Sequence, residues 1–107
     1  MKFNWYKKDV LCTEIDVDYE KKMVNIINHT DRFLDRAFGK NENPTLEDFK
    51  DFLESRCFPR TVGDLKWHLE VLDLQYYDPL AIVEKTKGVL EGDNFSLDII
   101  EDNEAER

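Results

Sequence analysis

The first third of the chain alternates apolar and polar residues with a period of two, which is typical of strands. The segment VLCTEIDV (10–17) places Leu11, Thr13, Ile15 and Val17 on one side and Cys12, Glu14 and Asp16 on the other. MVNII (23–27) and FNWY (3–6) predict two more strands, with DYEKK and KKD as polar turns. Together they predict a short antiparallel meander that needs cover on one face.

The middle of the chain changes to helical spacing. In NPTLEDFKDFLESR, Thr45 is a candidate N-cap with Asp48 three residues later, an arrangement close to a capping box. An apolar stripe follows at positions that share one helix face, namely Leu46, Phe49, Phe52 and Leu53. This segment predicts the first helix.

Two further segments carry helix signals. RTVGDLKWHLEVLDL predicts a second helix with Thr61 as N-cap and Asp64 at its third position. YDPLAIVEKTKG predicts a third, in which Asp78 is the cap and Pro79 takes the first helical position. Gly88 stands where a left-handed residue is favoured after a helix.

NFSLDII alternates again and predicts a last strand that returns to the meander. The expected fold is α+β, a short antiparallel sheet of the N-terminal meander and the C-terminal strand with three helices packed on one face. We expect one domain over residues 1–97 and a flexible acidic tail over 98–107. Between strands and helices, residues 28–43 show no period, and Phe33, Leu34 and Phe38 are expected to hold this loop against the core.

The net charge of −9 lies late in the sequence. Residues 1–29 are neutral, 30–60 carry −1 and 61–107 carry −8, of which −4 falls in 98–107. Direct binding to a nucleic-acid backbone is disfavoured, because it relies on clustered lysine and arginine. A basic protein surface would be attracted. The alternative is that the acids serve only solubility.

No apolar run approaches the roughly 20 residues of a membrane helix, and MKFNWYKKD lacks a signal-peptide pattern. These features predict a cytoplasmic protein without membrane contact. In a reducing cytosol, Cys12 and Cys57 are expected to be free and buried. With His29 and His68 they form no paired metal-binding spacing, so neither a metal nor another cofactor is expected.

Two chemical functions, catalysis by a cysteine thiol and binding of DNA, are alternatives to a purely structural role for these residues. Cys57 has Arg56 and Arg60 nearby, and these could lower a thiol pKa, with His68 approaching from the second helix. Its position at a helix end favours burial instead, and no catalytic residue is predicted. DLQYYD joins the second and third helices somewhat like a helix-turn-helix. The third helix offers few basic residues for DNA reading, so this is the weaker hypothesis.

The segment ESRCFPRT (54–61) is the most distinctive stretch of the chain. Pro59 cannot continue a helix, so CFP is expected to form the corner between the first two helices. Arg56 falls near a helix C-terminus, where a cation is favourable. Arg60 precedes the N-terminus of the predicted second helix, where a cation gains nothing from the helix dipole. It is expected to pair with a carboxylate, either in this chain or in a partner.

NPTLEDFKDFLESRCFPRT and LKWHLEVLDLQYYDPLAIVEKTKG together resemble a family of small proteins carried by bacterial mobile elements. In that family the SRCFPR corner and the YDP…I…KT.G segment occur together, and the last strand is aromatic and carries a tryptophan, whereas DNFSLDII in this chain has Phe95 and no tryptophan. The layout also weakly resembles a small module found with HipA-type toxin kinases. In size, charge and type the chain is similar to anti-CRISPR proteins that inhibit type II-A effector nucleases.

The resemblance and the charge together predict a non-enzymatic protein that binds and inhibits a nucleic-acid-handling enzyme, such as a type II-A CRISPR nuclease, by blocking guide RNA or DNA binding. The residues expected to contact the basic partner are Arg60, Glu91, Asp93, Asp98, Glu101, Asp102, Glu104 and Glu106. One alternative is a regulatory or structural module that binds a toxin-type kinase or self-associates. Another is a DNA-binding regulator.

Overall fold

The computed structural model describes residues 1–100. Its four strands are β1 (Lys2–Lys7), β2 (Val10–Asp18), β3 (Met23–Asn28) and β4 (Phe95–Ile100). Its helices are α1 (Leu46–Ser55), α2 (Leu65–Val71) and α3 (Pro79–Thr86), and a single 3₁₀ turn spans Phe33–Asp35. The predicted α+β class is confirmed.

The strands form one antiparallel sheet in the order β3-β2-β1-β4, so the last strand joins the meander beside the first. In the register, Phe3 lies opposite Ile15 on one side and Ile99 on the other. Phe49 of α1 and Ile82 of α3 are fully buried in the same core. The helices therefore pack on one face of the sheet, as predicted.

Helix boundaries agree with the sequence wherever a side chain caps the helix. The Thr45 hydroxyl accepts a hydrogen bond from the Asp48 backbone N–H at 3.1 Å, and the Asp48 carboxylate accepts one from Thr45, which completes the predicted capping box. Asp78 caps α3 by accepting from the Leu80 N–H at 3.2 Å. At the other end of α3, Lys87 already adopts the left-handed conformation, followed by Gly88.

The predicted start of α2 was wrong. Thr61 does not cap it; the helix begins at Leu65, four residues later, after Asp64 in a left-handed conformation without a side-chain cap. The Val62 N–H donates to the Pro59 carbonyl, so the chain makes a turn of its own before the helix. Pro59 and Gly63 in this segment both disfavour an earlier helix start.

A bulge changes one face assignment in β2. Tyr6 lies opposite Leu11 and Trp5 opposite Thr13, so Cys12 has no partner on β1. The extra residue turns Cys12 into the core, where it is 2% exposed, instead of beside Glu14 as expected from strict alternation.

Two further expectations are corrected. In the loop, Phe38 packs against the core, whereas Phe33 and Leu34 are exposed, Leu34 by 87%. At the C-terminus, β4 includes residues 98–100, which were assigned to the tail, because β1 continues to offer hydrogen-bonding partners as far as Lys2. Within residues 1–100, no helix is long and apolar enough to cross a membrane.

Candidate interaction site

The corner between α1 and α2 is built around a buried arginine. Arg56 follows the last residue of α1 and is 8% exposed. Its Nε donates to the Gly88 carbonyl oxygen at 2.9 Å, 32 residues along the chain. The SRCFPR segment and the end of the YDP segment therefore meet through a hydrogen bond between their own residues.

Asp93 completes this cluster. Its two carboxylate oxygens accept hydrogen bonds from Nη1 and Nη2 of Arg56 at 3.0 and 3.1 Å, and Oδ1 also accepts from the Phe95 N–H at 2.8 Å. The hydrogen bonds from Arg56 hold the pKa of Asp93 below its ordinary value. Asp93 was predicted to contact a partner. The structure places it in an internal, two-pronged ion pair.

One aromatic ring lies against the arginine, and a second ring stacks on the first. The guanidinium carbon lies 4.8 Å from the centre of the Trp5 ring, within cation–π range. Trp5 stacks on Phe95 with ring centres 4.8 Å apart and planes at 3°. Phe95 thus contributes its ring to the interior of this molecule.

Cys57 lies beside this cluster but does not resemble a nucleophile. Its Sγ lies 3.3 Å from the Leu53 carbonyl oxygen, and burial raises the pKa of the thiol to about 11. The nearby carboxylate of Glu54 acts in the same direction, and Arg60 opposes it more weakly. A thiol with this pKa holds little of the reactive thiolate at neutral pH.

We therefore expect Cys57 to resist alkylation in the folded protein. At pH 7.5, fewer than roughly one in ten molecules should react with iodoacetamide over a time in which the denatured chain reacts fully. Mass spectrometry of the digested protein gives the extent at Cys57, and Cys12 serves as an internal buried reference. Rapid labelling of native Cys57 alone would contradict the burial described here.

Arg60, on the exposed side of the corner, also has internal partners. Its Nε donates to Oε2 of Glu54 at 3.2 Å, and its guanidinium carbon lies 4.4 Å from the centre of the Tyr77 ring. The Tyr77 hydroxyl donates to the Phe58 carbonyl at 2.6 Å, which fixes the ring under the arginine. Of the two pairings left open for Arg60, the one within the chain is formed.

The three predicted partner-binding carboxylates within residues 1–100, of which Asp93 pairs with Arg56, lie in different surroundings. Glu91 is exposed in the turn before β4. Asp98 lies on β4 opposite Asn4, and its Oδ1 is 3.6 Å from Lys87 Nζ. The remaining four predicted contacts lie outside the described residues: Glu101, Asp102, Glu104 and Glu106.

The sheet face that points away from the helices brings Asp98 together with acids from the N-terminal strands. Two rows cross the sheet: Asn25, Asp16, Lys2 and Ile100 in one, and Ile27, Glu14, Asn4 and Asp98 in the other. These residues are exposed or half-buried, and all of them except Asp98 line a shallow depression of about 310 Å³. Within these two rows three carboxylates are set against one lysine, so the rows carry net negative charge, although Lys87 lies beside Asp98 and His29 beside Glu14.

Sequence reasoning missed Glu14 and Asp16 as candidates. Residues 1–29 are neutral as a group, so counting charge along the chain hides them. The signal that could have found them is the alternation in β2, which already placed both carboxylates on the side away from the core. What the alternation could not supply is the pairing of β1 with β4, which adds Asp98 to the same face.

The four candidate metal ligands of the sequence are engaged in other contacts, and they do not form one group. Cys12 and Cys57 belong to the core, His29 Nε2 lies 2.6 Å from Glu14 Oε2, and His68 stacks on Phe58. Over residues 1–100, no three His, Cys, Asp or Glu side chains are grouped so that they could hold a metal ion.

Comparison with known proteins found no match, whether with a family model, a curated protein or a solved structure. The resemblance suggested by the two motifs therefore stays a prediction. In this chain the SRCFPR and YDP segments each supply one side of the same buried contact, the hydrogen bond from Arg56 to the Gly88 carbonyl.

Proposed function

We propose that this protein acts without catalysis, by binding a basic site on a nucleic-acid-handling enzyme through the outer face of its sheet. The most concrete partner is an RNA-guided nuclease of the type II-A CRISPR class. In this proposal the protein occupies part of the positively charged channel and excludes guide RNA or DNA.

The observation that carries the proposal is the acidic outer face. Glu14 and Asp16 on β2 and Asp98 on β4, with β1 between these two strands, are on the sheet face that points away from the core. The sequence then continues from β4 into residues 101–107, which contain four acids and one arginine. An acidic face followed directly by an acidic segment matches the size and sign of a cationic groove better than scattered surface acids would.

The channel of such a nuclease is suited to this binding mode. It holds a guide–target duplex through backbone contacts in a positively charged groove, so negative charge is the property that it recognises along most of its length. A folded protein that presents carboxylates in rows can compete for the same cations. Competition of this kind weakens with rising salt, because exposed charges are screened.

The neighbourhood of α2 favours a second candidate, the module that binds a toxin-type kinase. Trp67 and Val71 lie four residues apart on α2 and are 59% and 62% exposed, with Tyr76 also exposed nearby. Exposed aromatic and aliphatic side chains of this kind are typical of protein–protein contacts. Recovery of a kinase with the wild-type protein, and its loss with Trp67→Ala, would select this function.

Neutralising the outer face is expected to weaken inhibition. We predict that Glu14→Gln, Asp16→Asn and Asp98→Asn combined raise the concentration needed for half-inhibition of target cleavage by about tenfold. A second variant replaces the four acids of residues 101–107 by their amides and should show a similar loss. Cleavage and guide-loading assays with purified type II-A nucleases measure both effects.

A matched control changes the same number of charges elsewhere. Glu47→Gln, Asp51→Asn and Glu70→Gln remove three exposed acids from α1 and α2 and should leave inhibition unchanged. Absence of inhibition by the wild type at large molar excess, across several orthologues, would remove the nuclease as partner. Equal inhibition by all variants would remove the acidic face as the binding surface.

A further inference from the structure

The two edges of the sheet differ in how they are covered. At the β4 edge, the Leu97 N–H donates to the Lys87 carbonyl at 2.8 Å, so the end of α3 occupies part of that edge. At the other edge, β3 has β2 as its only strand neighbour among residues 1–100. Its backbone therefore presents hydrogen-bonding groups along its outer side.

The direction of those groups follows from one hydrogen bond. The His29 N–H donates to the Cys12 carbonyl at 2.8 Å, just beyond the end of β3. Backbone groups alternate along an antiparallel strand, so Ile27, Asn25 and Met23 also face β2. The N–H and C=O groups of Val24, Ile26 and Asn28 then point outward.

The composition of β3 lacks the usual protection of an edge strand. Its sequence MVNIIN contains no charged residue and no proline, whereas β1, β2 and β4 all contain charged residues. Met23 and Ile27 are 51% and 58% exposed on the outer face. Natural proteins place lysine, proline or a bulge on an edge that must stay unpaired, and β3 has none of these.

The strand is complementary to itself in one antiparallel register. When Asn25 lies on a two-fold axis, Met23 of one copy faces Ile27 of the other on the outer face, and Val24 faces Ile26 on the core face. Every apolar residue then has an apolar neighbour, and Val24 and Ile26 are already packed against the core. With Ile26 on the axis instead, Asn28 would face Val24 and Asn25 would face Ile27.

The flanking charges agree with the same register. Lys21 and Lys22 end the turn just before β3, and in this register the turn of one copy lies beside Asn28 and His29 of the other. The ring of His29 contacts Glu14, and Asp31 follows two residues later, so lysines of one copy approach acids of the other. This matters for a chain with a net charge of −9, because two copies repel each other unless their contact is locally neutral or complementary.

We propose that β3 is a homodimerisation edge, at which two copies pair antiparallel about an axis through Asn25 and form one sheet of eight strands, four from each copy. The dimer also doubles the outer acidic face, although the proposal does not depend on the function suggested for that face. A single strand pair is smaller than the roughly 1,200 Å² of a standard interface, so the dimer is expected to be reversible.

Sedimentation velocity at protein concentrations from about 5 to about 500 µM tests the proposal, since the fraction of a reversible dimer rises with protein concentration. Asn25→Lys and Asn25→Asp each place two like charges directly opposite each other at the axis. They are carried by residues whose Cα atoms lie about 4.5 Å apart, the spacing of a non-hydrogen-bonded pair. Each variant alone should dimerise about tenfold more weakly than the wild type. Their equimolar mixture should recover dimers, because lysine then faces aspartate.

The control is Ser96→Lys, which adds the same charge to the outer face at the β4 edge and should dimerise like the wild type. A wild type that stays monomeric at the highest concentration overturns the proposal. So does a dimer that Asn25→Lys leaves intact, or a mixture that fails to recover dimers, because either result places the contact elsewhere or in another register.

Discussion

Replacing Arg56 by alanine is expected to destabilise the protein by about 3 kcal/mol, because the buried guanidinium supplies hydrogen bonds to both Asp93 and the Gly88 carbonyl. Asp93 would lose both charge-assisted hydrogen bonds, and the Gly88 carbonyl would lose its donor. The Trp5 ring would lose the guanidinium that lies over it. Urea unfolding followed by tryptophan fluorescence measures the change in unfolding free energy.

Arg60 provides the matched comparison within the same corner. Its ion pair with Glu54 is exposed, so Arg60→Ala should cost less than about 1 kcal/mol. Asp93→Asn should fall between the two, because an amide retains one acceptor for the guanidinium. If Arg56→Ala and Arg60→Ala proved equally mild, Arg56 would not be the centre of the corner.

Acid gives an independent check of the same pair. The pKa of Asp93 is lowered in the folded state from an ordinary value of 3.8, chiefly by the hydrogen bonds from Arg56. A carboxyl group with a lowered pKa stabilises the fold above its unfolded pKa, and this stabilisation is lost as the pH falls through the folded pKa. Between pH 5 and 2, the wild type should therefore lose more stability than Arg56→Ala does.

The parts of the fold that sequence predicts are those set by neighbouring residues. The Thr45–Asp48 capping box and the Asp78–Pro79 start were identified because each cap acts within three residues. Thr61 has the same local signal but does not begin a helix, because the turn after Pro59 continues to Asp64. The bulge that buries Cys12 depends on how β2 pairs with β1, which alternation in one strand cannot show.

The site is harder to predict than the fold, because its contacts join distant parts of the chain. Arg56 and Asp93 are 37 residues apart, and nothing near either residue identifies the other as its partner. A sum of charges along the sequence counted Asp93 among the acids available to a partner and left out Glu14, although the structure pairs Asp93 with Arg56 and places Glu14 on the outer face of the sheet, beside His29. Which charged residues share one surface can be stated only once the order of the strands is known.

Gly88→Val is the second change with a large expected effect, a destabilisation of about 3 kcal/mol. Gly88 is buried with φ +62°, a conformation that a β-branched residue adopts only under strain. A Cβ there would lie 3.3 Å from the Leu97 Cβ and 3.5 Å from the Arg56 Cβ. The added methyl groups would push Gly88 away from Leu97 of β4 and from Arg56, which donates a hydrogen bond to the Gly88 carbonyl.

Gly92→Val separates the backbone cost from the crowding. Gly92 also has a positive φ, of +84°, but a Cβ there meets no atom within 4 Å. Its substitution should therefore cost only the conformational part, about 1 to 2 kcal/mol.

Combining Gly88→Val with Arg56→Ala gives the decisive comparison. Because both substitutions act on one contact, the double variant should lose less stability than the sum of the two single losses. Simple additivity would mean that the glycine is required for its backbone conformation alone, and that the link between the two motifs contributes little to stability.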